Sequence, residues 1–326
     1  MRGSCGSARG SGGVVGLVSP WVLDTDAGAD DLFAIALLAG LRAPPPALVT
    51  TTHGLAPSPA DASDYVRRVL RAVGWPDVPV VPGAPTWQAG SDGKSVLDES
   101  WGAEYRAMLA QLVDDVLPAS TSSTGPVPSA EAAAAAIARV VEGHPPQTVS
   151  LVTLGPLTNI AALPPGMARQ FRAVVVMGGA VRGPEEPGDR KAEFNFACDP
   201  AAAAQVVSEG ANLVLGELAV AKATASAKDA VLAQLSRDAD STHGRDGSRG
   251  LMGRLARGCP GCVLYDPVIA AGLVHETVWA VEPAHVSVDA TSGGLVTEDA
   301  DGVAVSLAVD FDENGYVDAV RSALLR

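Results

Sequence analysis

Short apolar runs alternate with helical patterns along the first two thirds of this 326-residue chain. Consecutive parallel strands need a long crossover connection, usually a helix, so this alternation indicates a mostly parallel sheet with helices on its faces. The predicted strands are residues 21–23, 47–52, 78–81, 149–153, 173–177 and 212–215, and the predicted helices are residues 31–41, 61–73, 104–116, 130–142 and 200–209.

The last third of the chain has a different pattern. Helices are predicted over residues 266–274 and 314–325, and strands over residues 278–281, 285–288 and 303–309. Because no linker separates this part, we expect one α/β domain over residues 14–326, with an open, mostly parallel, Rossmann-like sheet, after a Gly/Ser-rich disordered tail over residues 1–13. Segments 82–100, 118–129 and 237–261 are rich in Gly, Pro, Ser and charge, and are predicted to be lids or disordered insertions.

The charge balance limits the classes of partner. A formal net charge of −14 and a sequence pI near 4.7 argue against a nucleic acid or an anionic membrane surface. Pro and Gly interrupt the apolar runs before they reach the length that crosses a bilayer, so no membrane segment is predicted. Four cysteines are too few for a disulfide scaffold in a chain of this length. We therefore expect a cytoplasmic protein with a small-molecule ligand.

Two of the cysteines lie close together in the sequence Cys259-Pro-Gly-Cys262. This spacing is typical of a redox pair or of half a zinc site, but no second Cys/His pair completes a tetrahedral zinc site. Ordinary loop thiols are the favoured interpretation, and a switchable disulfide is the alternative.

Four carboxylates lie within the eight residues from Asp24 to Asp31, directly after the first predicted strand and before an apolar helix. Ligands collect at the carboxyl ends of strands in open α/β sheets. Crowded carboxylates repel one another unless a cation or polar groups compensate them, and an all-oxygen set suits a hard ion such as Ca²⁺ or Mg²⁺. Helix capping accounts for one such Asp, but not for four.

The acidic run also resembles two other kinds of site. A calcium loop of the EF-hand type lacks its required residues at Gly28, Ala29 and Ile35. The triplet Asp24-Thr25-Asp26 resembles the signature of haloacid dehalogenase phosphatases, in which Asp24 would be a covalent nucleophile. No convincing downstream Lys and acidic pair accompany it, so this interpretation is a distant alternative.

Five motifs in order make the chain resemble the metal-dependent nucleoside hydrolases, a family also known as the inosine/uridine-preferring nucleoside hydrolases, from Val22 to the C-terminus. They are Asp24-Thr25-Asp26-Ala27-Gly28-Ala29-Asp30-Asp31, Thr153-Leu154-Gly155-Pro156-Leu157-Thr158-Asn159-Ile160, Val176-Met177-Gly178-Gly179, Ala192-Glu193-Phe194-Asn195 with Asp199-Pro200, and Tyr265-Asp266-Pro267.

The resemblance implies a Ca²⁺-dependent enzyme that cleaves ribonucleosides to free base and ribose, in purine salvage or nucleoside catabolism. It implies that Asp26, Asp31, the backbone carbonyl of Leu154 and Asp266 hold the ion. Asp26 would also take a proton from the attacking water. The ribose would contact Asp30, Glu193 and Asn195, and Asp24 would brace the metal ligands. A homodimer or homotetramer is expected.

The resemblance also suggests which base is preferred. Members that prefer purine nucleosides, the inosine-adenosine-guanosine branch, have an aromatic residue before the last metal Asp and a Trp after the third strand; Tyr265 and Trp101 match them. Stacking between two aromatic rings stabilises a purine by about 1–3 kcal/mol per base. Arg257 matches an Arg that closes over the base in that group. As plain alternatives, Tyr265 would be a packed aromatic and Arg257 a solvated charge.

Two positions depart from the family pattern. Leu55 lies where many members have a ligand-contacting Asn, and Pro184 lies where the purine-specific group tends to have a sugar-binding Asn. These departures leave open a catalytically weak, metal-dependent nucleoside-binding protein. His53 and His243 are spare acid candidates, although a lone His is more often structural or exposed.

Overall fold

The computed structural model describes residues 16–86, 99–119, 127–182, 191–210, 212–223, 231, 247–259 and 264–325, and in 99–101 and 325 only the backbone. The predicted tail over residues 1–13 lies outside these ranges. The strands are β1 (Trp21–Thr25), β2 (Leu48–Thr51), β3 (Val80–Pro82), β4 (Ser150–Thr153), β5 (Ala173–Met177), β6 (Leu213–Gly216), β7 (Ala280–Asp289), β8 (Leu295–Glu298) and β9 (Val303–Val309).

All nine strands form one sheet in the order β3-β2-β1-β4-β5-β6-β9-β7-β8. The pairs from β3 to β9 are parallel, whereas β7 runs antiparallel to both β9 and β8. The predicted fold class, an open and mostly parallel sheet flanked by helices, is confirmed. Its parallel part brings the carboxyl ends of β1, β2, β4 and β5 to one edge.

The described helices are α1 (Ala29–Gly40), α2 (Pro59–Ala72), α3 (Glu99–Val116), α4 (Ala130–Glu142), α5 (Thr158–Ala161), α6 (Phe194–Cys198), α7 (Pro200–Glu209), α8 (Leu218–Ala223), α9 (Ser248–Gly258), α10 (Tyr265–Gly272) and α11 (Glu313–Leu325). Caps fix several of their starts. Ser58, Ser129 and Asp199 each accept a backbone N–H at 3.1 Å in the first turn of α2, α4 and α7.

Helices cover both faces of the sheet, which explains the continuous apolar strands. Every residue of β1 is buried, with Trp21 and Leu23 in one hydrophobic cluster and Val22 in the other. Successive strand side chains point to opposite faces, so a strand between two helical layers must be apolar on both.

The structure corrects the prediction at the antiparallel end of the sheet. The two strands predicted at 278–281 and 285–288 form one ten-residue strand, β7, and β8 was not predicted. Pro283 interrupts the apolar pattern, but it pairs only with Ser306 of β9, because β8 covers only Val286 to Asp289. A proline is tolerated where its missing N–H faces an open edge.

Two further predictions need correction. The segment 237–261 was expected to be loop, yet Ser248–Gly258 forms helix α9, whose Leu251, Met252 and Leu255 are buried. Cys259 is disulfide-bonded rather than an ordinary thiol, and Cys5 and Cys262 lie outside the described residues. No helix in the described part of the chain has the length and hydropathy needed to cross a membrane.

Candidate active site

The acidic run lies at the carboxyl edge of the sheet, where β1 leads into α1. The backbone N–H of Leu154 donates to the carbonyl of Asp24 at 2.8 Å, which joins this loop to the end of β4. Ala27 has a φ of 58°, a left-handed conformation that turns the chain sharply between the strand and the helix. The turn leaves Asp24 and Asp26 on the strand side and Asp30 and Asp31 in the first turn of α1.

Asp26 is buried and held on both carboxylate oxygens. Gly28 N donates to Oδ1 and Leu55 N donates to Oδ2, each at 3.0 Å. Any Cβ at Gly54 would overlap this carboxylate, so the loop after β2 packs directly on it. Burial nevertheless raises the pKa of Asp26 to about 6, against these hydrogen bonds and the charge of Arg106.

Asp30, Asp31 and Asp266 form an oxygen cluster built from two distant parts of the chain. One ligand atom from each lies within 4.8 Å of the other two. Asp31 shares hydrogen bonds with Asp26 and Asp266, and it accepts a short one from Thr25 Oγ1. Asp26 is therefore hydrogen-bonded to one residue of the cluster, Asp31, but is not one of the three residues whose ligand atoms lie within 4.8 Å of one another.

Asp30 also joins α1 to α10. Its carboxylate accepts the backbone N–H groups of Tyr265 and Asp266 at the start of α10. This contact fixes Asp266 opposite α1, although 235 positions separate Asp266 from Asp31 in the sequence. Burial and the charge of Asp26 raise the pKa of Asp30 to about 7.

The cluster has the properties of a cation site. Burial, followed by the neighbouring carboxylates, raises the pKa of both Asp31 and Asp266 well above the ordinary value. Two carboxyl groups that share a hydrogen bond must share a proton, and a bound cation would replace that proton. The donors are all oxygen, which suits Ca²⁺ or Mg²⁺ and gives softer metals no advantage.

Asp24 is fully buried in β1 and held by side chains from two other elements. Its Oδ1 accepts from Thr50 Oγ1 at 2.5 Å and from Asn159 Nδ2 at 2.7 Å, and Asn159 Oδ1 accepts the N–H of Ala84 at 2.8 Å. These bonds tie the ends of β1, β2 and β3 to α5. Burial raises the pKa of Asp24 to about 7.

Glu193 and Asn195 line the neighbouring side of the site. Glu193 caps α6 by accepting the N–H groups of Asn195, Phe196 and Gly179 at 3.0, 3.2 and 3.3 Å, and burial raises its pKa to about 7. Asn195 Nδ2 donates to the carbonyl of Leu154 at 2.9 Å. A carbonyl oxygen has two lone pairs, so this bond leaves Leu154 able to bind a second partner.

The residues predicted to face the base are less closely joined to the cluster. Tyr265 is partly buried at the first position of α10, and burial, with the charges of Asp30 and Glu193, raises the pKa of its hydroxyl. Arg257 is exposed in the last turn of α9. Trp101 lies in α3, but its side chain is outside the described residues, as are Pro184 and His243.

Comparison with known proteins decides the family. The sequence model described as inosine-uridine preferring nucleoside hydrolase matches residues 21–318. The chain belongs to this family. It is 32% identical to the non-specific ribonucleoside hydrolase RihC of Escherichia coli O1:K1, over 94% of this chain and 98% of that protein. The chain is therefore an enzyme of the nucleoside hydrolase type.

Solved nucleoside hydrolases have the same fold. The inosine-uridine preferring nucleoside hydrolase from Bacillus anthracis aligns with a TM-score of 0.72 at 21% identity, over 94% of this chain and 99% of that one. A purine-preferring ribonucleoside hydrolase from Gardnerella vaginalis aligns with a TM-score of 0.72 at 22% identity, over 94% and 100%.

Membership of the nucleoside hydrolase family removes the phosphatase alternative, and the geometry agrees. A covalent nucleophile must reach its substrate, whereas Asp24 is fully buried and bonded to Thr50 and Asn159. His53 also has a structural environment: its Nε2 lies 2.9 Å from Thr158 Oγ1, which donates to Asp199 at 2.7 Å. Burial lowers the pKa of His53 to about 4, so a neutral imidazole is expected near pH 7.

Sequence reasoning missed two residues of α3 that reach this nucleoside hydrolase site. Tyr105 Oη accepts the N–H of Ala29 at 3.0 Å, and Arg106 Nη2 lies 3.4 Å from the carbonyl of Gly54. Arg106 is the only Lys or Arg in the α3 sequence, which could have singled it out. Nothing local, however, indicates that α3 packs on the acidic loop.

Proposed function

We propose that the chain is a Ca²⁺-dependent N-ribohydrolase that cleaves the N-glycosidic bond of ribonucleosides to free base and ribose, with a bias towards purines. The observation that supports it most is the meeting of Asp31 and Asp266 with Asp30 within 4.8 Å, beside Glu193. Hydroxyl-rich sugars suit such a set of acceptors, and a nucleoside is a small neutral ligand that fits the acidic chain.

In this proposal Asp26, Asp31, Asp266 and the carbonyl of Leu154 hold the ion. The bond from Asn195 Nδ2 would orient that carbonyl. When bound, the ion would neutralise the crowded carboxylates and make a nearby water more acidic.

The other roles follow from the same geometry. The Gly28 and Leu55 N–H groups fix Asp26 in one orientation, from which it would take a proton from the attacking water. Asp30, Glu193 and Asn195 would receive the ribose hydroxyls, and the negative charge of the two carboxylates would favour the positive charge that develops on the ribose ring. Asp24 would keep the loop in place through Thr50 and Asn159.

A panel of nucleosides tests the activity. The purified chain is incubated with inosine, guanosine, adenosine, uridine and cytidine, with Ca²⁺ or with a chelator, and released ribose is measured as reducing sugar. We expect ribose release with Ca²⁺ and its loss on chelation. Absence of turnover on all five nucleosides with Ca²⁺ would refute the proposal, and tight binding without turnover would select the nucleoside-binding alternative suggested by Leu55.

The purine bias rests on Trp101 and Tyr265, with Arg257 as a group that would close over the base. Residues 101 and 105 are four positions apart and therefore lie on the same face of α3. Tyr105 contacts Ala29 in the acidic run. Trp101 would thus lie one helical turn from this contact, on the face of α3 that packs on the site. Trp101→Ala should reduce purine turnover by about tenfold, from the loss of roughly 1–3 kcal/mol of stacking. Ser100→Ala is the neighbouring control, and equal effects of the two would remove the stacking argument.

Assembly and location remain predictions. A homodimer or homotetramer is expected in solution, to be measured by light scattering, and a cytoplasmic location is expected, to be measured by cell fractionation.

A further inference from the structure

Helix α3 contacts the site through two adjacent residues that the family resemblance did not assign. Tyr105 accepts the N–H of Ala29 at 3.0 Å, and Arg106 approaches the Gly54 carbonyl at 3.4 Å. Because a Cβ at Gly54 would overlap the Asp26 carboxylate, the Gly54 peptide touches Asp26. The guanidinium of Arg106 therefore lies at the rim of the acidic cluster.

The charge of Arg106 acts on both sides of the site. It lowers the pKa of Asp26 at the end of β1 and that of the Cys198 thiol in α6, although burial raises both overall. Cys198 belongs to the same helix as Asn195, and its pKa also responds to Glu193. Arg106 therefore acts electrostatically on one carboxylate proposed to bind the ion and on the helix that carries Asn195.

This guanidinium also has a hydrogen-bond donor at Nε. Nε of Arg106 is buried and has no hydrogen-bond partner among the residues that the structure describes. A buried N–H without an acceptor is costly, which indicates that an acceptor arrives with a ligand. The Leu55 N–H in the loop that Arg106 approaches is already bonded to Asp26.

The acceptor for Arg106 should be neutral when the ligand binds, because Asp26, Asp30 and Glu193 would repel an anion such as phosphate. It should become negative during the reaction, because a cationic donor then stabilises it. A departing nucleobase has this property, because the electron pair of the C1′–N bond moves to the base as the bond breaks. Resting on the proposed function, we propose that Arg106 donates to the departing base and stabilises its developing negative charge.

The balance of the step is complete without a further reactant. Water gives its hydroxyl to C1′ and one proton to Asp26, and the bonding pair leaves on the base. The base then takes a proton from solvent, and Asp26 returns its proton to solvent. Arg106 donates a hydrogen bond and transfers no proton in this step. The products are ribose and the neutral base.

Two nucleosides separate this role from a structural one. Inosine must release an anionic base, whereas 7-methylguanosine is already cationic and releases a neutral base that needs no donor. Arg106→Gln should lower kcat for inosine about a hundredfold, as for loss of one donor to a developing anion, and change kcat for 7-methylguanosine less than about threefold. Arg106→Lys should retain part of the inosine activity.

Arg254→Gln is the matched control, because Arg254 on α9 bonds the carbonyl of Val116 at 3.2 Å, at the far end of α3 from Trp101. It should leave both substrates unchanged, and melting temperatures check that each variant folds. If folded Arg106 variants lost kcat equally on both substrates, or on neither, the role of Arg106 would be overturned and the proposed function would still stand. A wild-type chain inactive on both substrates with Ca²⁺ would instead refute the proposed function.

Discussion

Carboxylates at the two ends of the sheet have opposite pKa shifts. At the parallel end, Asp26 accepts two backbone N–H groups, yet burial raises its pKa to about 6. At the antiparallel end, Asp289 accepts the N–H groups of Thr291 and Ser292 and their hydroxyls, and its pKa is lowered to about 2. The exposed Asp299, which accepts from Ser287 Oγ and Asp301 N, also has a lowered pKa.

The opposite shifts show whether hydrogen bonding or desolvation has the larger effect on the pKa of a carboxyl group. Both Asp26 and Asp289 are well hydrogen-bonded, so hydrogen bonding alone does not decide the sign of the shift. Desolvation and neighbouring carboxylates outweigh it where the sheet edge is buried. The parallel end thus keeps acidic groups together at a cost in stability, which is expected of a site that binds a cation, whereas the antiparallel end uses its acids as ordinary caps.

The largest expected effect comes from removing one carboxylate of the cluster. Asp266→Asn should reduce ribose release by at least about a hundredfold, because the proposed ion loses a ligand. In the presence of a chelator the same variant should unfold at the same or a higher temperature than wild type, because repulsion with Asp31 is relieved. Asp289→Asn is the control and should leave activity unchanged; equal losses in the two variants would erase the contrast between the ends.

The second prediction concerns Ca²⁺ itself. A ligand that binds only the folded state stabilises it by about 2.7 kcal/mol at a free concentration one hundred times its Kd. Urea unfolding with and without Ca²⁺ should show this increase in wild type and in Asp289→Asn, but not in Asp266→Asn. The same stabilisation in Asp266→Asn would place the ion elsewhere.

The third prediction uses the pH dependence of the parallel end. His53 has a pKa of about 4 in the folded state and an ordinary value of 6.5 when unfolded. The unfolded chain therefore binds an extra proton at this position between these values, and the contribution of His53 to stability falls as pH drops from 6.5 towards 4, by up to about 1.4 kcal/mol per pH unit. The buried carboxylates with raised pKa values contribute in the opposite direction. Relative to wild type, His53→Gln should therefore gain stability as pH drops from 6.5 to 4, measured by urea unfolding. A slope equal to that of wild type would contradict the assignment.

The smallest effect is expected at the antiparallel end. Arg182 pairs with Glu282 at 3.1 Å and with Glu298 at 2.8 Å, and all three side chains are largely in solvent. Arg182→Ala should cost about 0.2–1 kcal/mol of unfolding free energy, less at high salt, and should not alter ribose release. A larger cost that persists in salt would show that this end is also buried in solution.

Local patterns in the sequence are sufficient to predict the fold class and those parts of the site whose residues are neighbours in the chain. Burial between two helical layers makes strands such as β1 and β5 apolar on both faces, so their periodicity is visible locally. Helices α4 and α7 have the predicted bounds because Ser129 and Asp199 cap them. The acidic run is also visible in the sequence, because its residues are neighbours in the chain.

Residues of the site that are far apart in the sequence come together only through packing between helices and strands. Asp266 reaches Asp31 because the Asp30 carboxylate holds the first N–H groups of α10, and Arg106 reaches Gly54 because Tyr105 docks α3 on the acidic loop. Such contacts depend on packing between elements far apart in sequence, which leaves no local periodicity. The ten-residue β7 was hidden in the same way, because Pro283 is acceptable only at the unpaired edge that the sheet order creates.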